Sequence, residues 1–223
     1  MIVFLGSSHA AKHLEEAAIR RGLEVSRSPY APVSPDLIFI SEDTPTNHKG
    51  ERDLTPIRAL IDSVKHRNIP IVLTSQVPPG FTRSLGIKNI YHQAETLRIK
   101  DAAVRALHPD YIVVGYSYSD CYSTLPKAYV EYLYAFDCAL RFVTYEVAEF
   151  SKIAVNMMLA AQVDATNRLA AAATKVGADW AAVAQVLKLD KRIGPEAYLT
   201  PGRWQDSKHL LRDSVTLEAI STP

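Results

Sequence analysis

The chain has 223 residues, 48% of them hydrophobic and 22% charged, which is room for one large packed domain or two small ones. Its 25 Lys and Arg against 24 Asp and Glu leave no strong field of either sign, so a nucleic-acid partner held by a basic surface is not expected. The two cysteines, Cys121 and Cys138, are too few for a disulfide framework or a four-thiolate zinc site, and no metal site is expected.

The opening run Ile2–Leu5 is short and apolar and ends at Gly6, without the basic start of a signal peptide. No apolar run is long enough to span a membrane, so the expected setting is the reducing cytoplasm. After the polar turn Ser7-Ser8-His9, residues 10–21 predict a helix with Ala11, Leu14, Ala18 and Ile19 on one side, stopped by Gly22. Leu23–Val25 and Leu37–Ile40 read as strands, and Thr55–Arg67 as a helix through Ile57, Leu60, Ile61 and Val64. Ile69–Thr74, Ile87–Tyr91 and Tyr111–Gly115 complete the predicted strands, which together give a mostly parallel sheet with helices on both faces.

After about residue 125 proline and glycine become scarce and alanine common. Tyr145–Val176 predicts one long helix ended by Gly177. Asp179–Leu187 is a second helix, and a last one starts near Asp206. The expected division is an α/β domain over 1–125 and a helical domain over 126–223.

Four local patterns could carry chemistry. Gly6-Ser7-Ser8-His9 sits where a dinucleotide-binding sheet places its phosphate turn, but with one glycine where such turns have three. It reads equally as a plain strand-to-helix turn, and Ser8 would put a side chain where the pyrophosphate approaches. The Leu23–Val25 strand ends in Ser26-Arg27 without the acid that accepts ribose hydroxyls; Arg27 is either a 2′-phosphate ligand or a solvated loop residue. Glu149, Lys152 and Asn156 share one helix face. A lysine beside an asparagine can hold an oxyanion, and the same spacing also suits an ion pair with a solvated amide. His209 and Asp213, one turn apart, are either a base with its orienting acid or a weak surface contact. Neither cysteine has a histidine nearby in sequence, so both read as structural.

In order along the chain, further segments form a pattern. Pro35–Ile40 and then Asp43-Thr44-Pro45-Thr46 resemble A-D-x-x-F-I-x-V-x-T-P-T. Ser75–Gly80 resembles S-T-V-P-V-G, Ala94–Arg98 resembles P-E-F-L-R, and His108–Gly115 resembles H-P-D-R-I-V-I-G. Ala148–Ala160 is similar to A-E-x-x-K-x-x-x-N-x-x-L-A. Gly177–Trp180, Asp190–Gly194 and Tyr198–Gly202 resemble G-A-D-V, D-x-R-I-G and the loop that follows it. Over about residues 36–217 the chain thus resembles the UDP-glucose/GDP-mannose 6-dehydrogenase family, which oxidises a nucleotide-sugar alcohol with NAD and a cysteine thioester.

The resemblance implies a shortened Rossmann-like parallel sheet, joined by a long connecting helix to an all-helical central domain of the 6-phosphogluconate-dehydrogenase type. It implies NAD or NADP at Gly6, Ser7, Ser8, His9, Thr44, Pro45 and Gln76. It also implies catalytic roles for Glu95, Lys152, Asn156 and Asp213, with His209 standing where the family has its cysteine. Gln76 replaces a threonine and Ile99 an acid. The expected chemistry is a two-electron oxidation of a sugar or nucleotide-sugar alcohol without the thioester step; the alternative is a silent relative used for binding or dimerisation. About ten residues between Val25 and Leu37 leave no room for a further helix and strand of the cofactor half, and the C-terminal nucleotide-sugar domain is expected to be absent. A homodimer through the helical domain is expected, with Phe150, Ile153, Met157 and Ala161 on its face.

Overall fold

The computed structural model describes residues 1–26, 34–117 and 125–222. Arg27 and Cys121 lie outside the described residues. The chain divides into two compact units, Met1–Pro45 with Arg52–Lys152, and Thr46–Glu51 with Ile153–Pro223.

The first unit is built on one sheet. Its strands are β1 (Ile2–Leu5), β2 (Val25–Ser26), β3 (Leu37–Ile40), β4 (Ile71–Leu73), β5 (Ile90–Gln93), β6 (Tyr111–Tyr116) and β7 (Ala139–Thr144). Their spatial order is β2-β1-β3-β4-β5-β6-β7. All pairs are parallel except β5 with β6. The helices are α1 (His9–Arg20), α2 (Thr55–Val64), α3 (Phe81–Ser84), α4 (Ala102–Leu107), α5 (Lys127–Tyr134) and the start of α6 (Tyr145–Lys175).

Every residue of β1, β3, β4 and β5 is buried, as strands covered on both faces require. Alternate residues then serve opposite cores. Ile2, Phe4, Leu37 and Phe39 pack with Leu14 and Ala18 of α1 and with Tyr129 and Tyr132 of α5. Val3, Leu5, Ile38 and Ile40 pack with Ile57, Ile61 and Val64 of α2. Aromatic contacts stitch the first core: Phe39 stacks on Phe4 at 4.8 Å and meets Tyr132 at 4.5 Å.

Residues 139–144 correct the expectation of an all-helical second half, because they form β7 at the edge of the sheet. The run alternates exposed and half-buried residues from Ala139 to Phe142 and passes into α6 without a linker. Its turn is made by Asp137 in the left-handed region (φ 44°), not by the glycine or proline that would announce it.

The second unit holds most of α6, then α7 (Trp180–Leu189) and α8 (Lys208–Ser221). The loop between α7 and α8 is tied down by side chains that bond its backbone. Thr166 Oγ1 donates to Tyr198 O at 2.9 Å, and Trp180 Nε1 to Leu199 O at 2.9 Å. Asn167 exchanges two bonds with Gly202, at 2.8 and 2.9 Å. Trp204 Nε1 donates to Asp164 at 3.0 Å. Among the described residues no helix is long and apolar enough to cross a membrane.

Candidate functional site

In a sheet of this order the chain leaves β1 toward one side and β3 toward the other, so a crevice opens beyond their carboxyl ends. Gly6–His9 and Ser41–Pro45 line it. Gly6 adopts φ +112°, and a Cβ there would lie 2.1 Å from Ser41 O, so only glycine fits. Ser8 caps α1, accepting from Ala11 N at 3.0 Å. Its hydroxyl also donates to Ser41 O at 2.8 Å. The Ser8 side chain is therefore buried between the strand ends, which corrects the expectation that it faces an approaching pyrophosphate.

Glu42 was not singled out by the sequence reading. Ser7 N donates to Glu42 Oε2 at 2.9 Å, and Ser7 Oγ lies 3.1 and 3.2 Å from the two carboxylate oxygens. A carboxylate thus rests at the entry to α1, where the helix N-terminus favours an anion. The signal was present: Glu42 stands where the pattern F-I-x-V-x-T-P-T has an apolar residue. Glu42 N donates in turn to Ser75 Oγ at 2.8 Å, which ties the end of β3 to that of β4 beside half-buried Gln76. Thr44 is buried, Pro45 exposed, and His9 opens α1. These candidate cofactor residues share one end of the sheet. They suit a pyrophosphate on condition that Glu42 swings off Ser7.

Glu95 follows β5, and its carboxylate accepts from Leu97 N. It lines a small pocket, open to solvent, with Gln93, Thr96 and Arg105. Glu149, read from spacing as part of a reactive face, is instead a cap. It is buried and accepts from Gly80 N at 2.6 Å and Thr82 N at 2.8 Å, at the start of α3. Burial pushes its carboxyl above the ordinary 4.5, against the pull of those bonds. Lys152 is half-buried on α6.

In the second unit Asn156 is buried and donates through Nδ2 to Asp213 Oδ2 at 2.6 Å. The amide that could have been solvated is fixed instead. Asp213 is fully buried, with Arg212 Nε 3.6 Å from its other oxygen; this buried arginine was also missed, and no spacing rule marks it. His209, one turn earlier on α8, is exposed.

The family model for the central domain of the UDP-glucose/GDP-mannose dehydrogenase family matches residues 146–220. UDP-glucose 6-dehydrogenase of Rickettsia bellii is 29% identical over 196 residues, covering 83% of this chain and 45% of that protein. The Rickettsia prowazekii enzyme of the same name is 32% identical over 172 residues, covering 71% of this chain and 39% of its own length. The chain thus matches less than half the length of these relatives. UDP-glucose dehydrogenase from Pyrobaculum islandicum superposes with TM-score 0.70 at 20% identity, over 98% of this chain and 63% of that one. GDP-mannose dehydrogenase from Pseudomonas aeruginosa gives 0.68 at 21%, over 97% and 65%. At such identities the structural likeness speaks for the fold.

Proposed function

Because the chain belongs to the UDP-glucose/GDP-mannose dehydrogenase family, we propose that it exchanges a nucleotide-sugar alcohol with its aldehyde in one two-electron step. A bound NAD or NADP supplies the hydride acceptor. The observation that carries the reading is the Asn156 amide, held by buried Asp213 one helical turn from Lys152 on α6. Asn156 Nδ2 has a second hydrogen to donate, and the Lys152 ammonium is a cation on the same helix face. Together they would hold the alkoxide oxygen as its proton leaves. Glu95 or His209 would take that proton, the latter with Asp213. Gly6–His9 would seat the pyrophosphate, with Thr44, Pro45 and Gln76 along the same crevice. With His209 in place of a thiolate at that position, no thiohemiacetal would form there and oxidation would stop at the aldehyde.

A second reading, a binding or dimerisation module without turnover, is favoured by the Glu42 carboxylate on Ser7. Calorimetric titration with NAD, NADH, NADP and UDP-sugars separates the two. The enzyme reading expects dinucleotide binding, and turnover that Lys152→Ala abolishes while the circular dichroism spectrum is unchanged. No dinucleotide binding at millimolar concentration overturns it. Full activity in Lys152→Ala removes that residue's role.

A further inference from the structure

On α1, His9 and His13 stand one helical turn apart and their Nε2 atoms approach to 3.1 Å. The rings meet edge to face, with centroids 4.4 Å apart. As neutral imidazoles they can make this contact only if one Nε2 carries the proton and the other accepts it. If both protons sit on Nδ1, two lone pairs lie 3.1 Å apart. An ion at the usual zinc–imidazole distance from both would subtend roughly 100°, between octahedral and tetrahedral angles.

The other ring nitrogen of His13 is not engaged by the His9 contact. Its Nδ1 is buried and has no hydrogen-bond partner among the described residues. The nearest carboxylate oxygen recorded for it, Glu16 Oε2, lies 3.8 Å away. A metal-bound imidazole commonly directs its other N–H at a carboxylate, and Glu16, beyond hydrogen-bond range as it stands, is the carboxylate that a small side-chain movement would bring there. The positive end of the helix and the nearby Lys12 charge work against a cation. They weaken the affinity and leave the ligand geometry unchanged.

We propose that His9 and His13 chelate a divalent transition ion of the copper–nickel–zinc class, with Glu16 as the carboxylate behind His13. This departs from the expectation of no metal site, which rested on cysteine count and not on histidine spacing. Among the described residues no group of three His, Cys, Asp or Glu is placed to hold an ion. Water therefore fills the remaining positions, and the ion is exchangeable. The proposal does not rest on the oxidoreductase reading, but it shares His9 with the turn that reading gives to the pyrophosphate, so the metal is tested without dinucleotide.

The test uses the full chain with the metal alone. Cu²⁺ is titrated by calorimetry, and the one-equivalent complex is examined by electron paramagnetic resonance. The parent is expected to show two-imidazole nitrogen coupling and His9→Ala one, with affinity reduced at least about tenfold. Glu16→Gln should weaken binding about tenfold through the lost carboxylate. His9 is exposed, so His9→Ala keeps the fold and the test does not depend on the half-buried His13. An identical isotherm and spectrum in the parent and His9→Ala, or no Cu²⁺ binding by the parent at millimolar concentration, overturns the proposal.

Discussion

Glu42 decides what the crevice beyond β1 and β3 accepts. Its carboxylate holds Ser7 N, and a dinucleotide pyrophosphate would have to displace it. A charge-assisted bond of this kind is worth about 1.5–3 kcal/mol, and removing it also removes a like charge from the ligand's path. Glu42→Val should therefore bind NADH at least about tenfold tighter than the parent by calorimetry, since about 1.4 kcal/mol is one decade. Glu42→Gln can still accept from Ser7 and should fall between the two. Equal affinities in all three would show that Glu42 does not compete for the site. The neighbouring glycine tests the geometry. Gly6→Ala meets Ser41 O at 2.1 Å in a left-handed conformation costing about 1–3 kcal/mol by itself. At about 2–4 °C per kcal/mol, a fall of several degrees in the melting midpoint is expected, and an unchanged midpoint would refute the contact. Gly6 was legible in the sequence because a short apolar run ended on it. Glu42 was legible only as an acid at an apolar position of the pattern; its pairing with Ser7 was not, because that lies across two strand ends.

Elements were legible where hydrophobic period and punctuation agreed. Ile2–Leu5 and Leu37–Ile40 are strands with the predicted bounds, and the long helix ends one residue short of its predicted stop. β7 escaped because no glycine or proline separates it from the helices on either side. Spacing on α6 placed Glu149, Lys152 and Asn156 on one face but could not say what covers each. Glu149 is covered by the start of α3, which makes an internal carboxylate part of that turn. Its pKa is raised in the folded state, so the native protein binds the proton more tightly than the unfolded chain. The stability from that proton is complete below 4.5 and is lost as pH rises through the folded value. Glu149→Gln cannot titrate. Denaturant unfolding of the parent should lose stability relative to Glu149→Gln as pH climbs above 4.5. A constant difference across that range would mean the group is not shifted.

Assembly is the question that remains at the scale of the whole molecule, and α6 bears on it. Ile153, expected on a dimer face, is fully buried within the chain and cannot serve there. Exposed on α6 are Val147 and Phe150 in the first unit and Val155, Met158 and Leu169 in the second, the last three at 44%, 65% and 51%. Single exposed hydrophobics need no explanation, but Met158 and Leu169 are about three helical turns apart and fall on one stripe, with Val155 beside it. In a two-fold dimer each counts twice, giving six side chains. Each contributes at most about 1.5–3 kcal/mol on burial, against an association cost of about 4–15 kcal/mol. The margin is narrow enough that losing one residue per chain should decide the outcome. Sedimentation velocity at micromolar concentration should find the parent dimeric and Met158→Glu monomeric. If both sediment as monomers the stripe is not an interface, and if both sediment as dimers the contact lies elsewhere on the chain. The second result would point to Val186 and Leu189, which α7 leaves 67% and 82% exposed. Leu189→Glu would then be the variant expected to separate the chains.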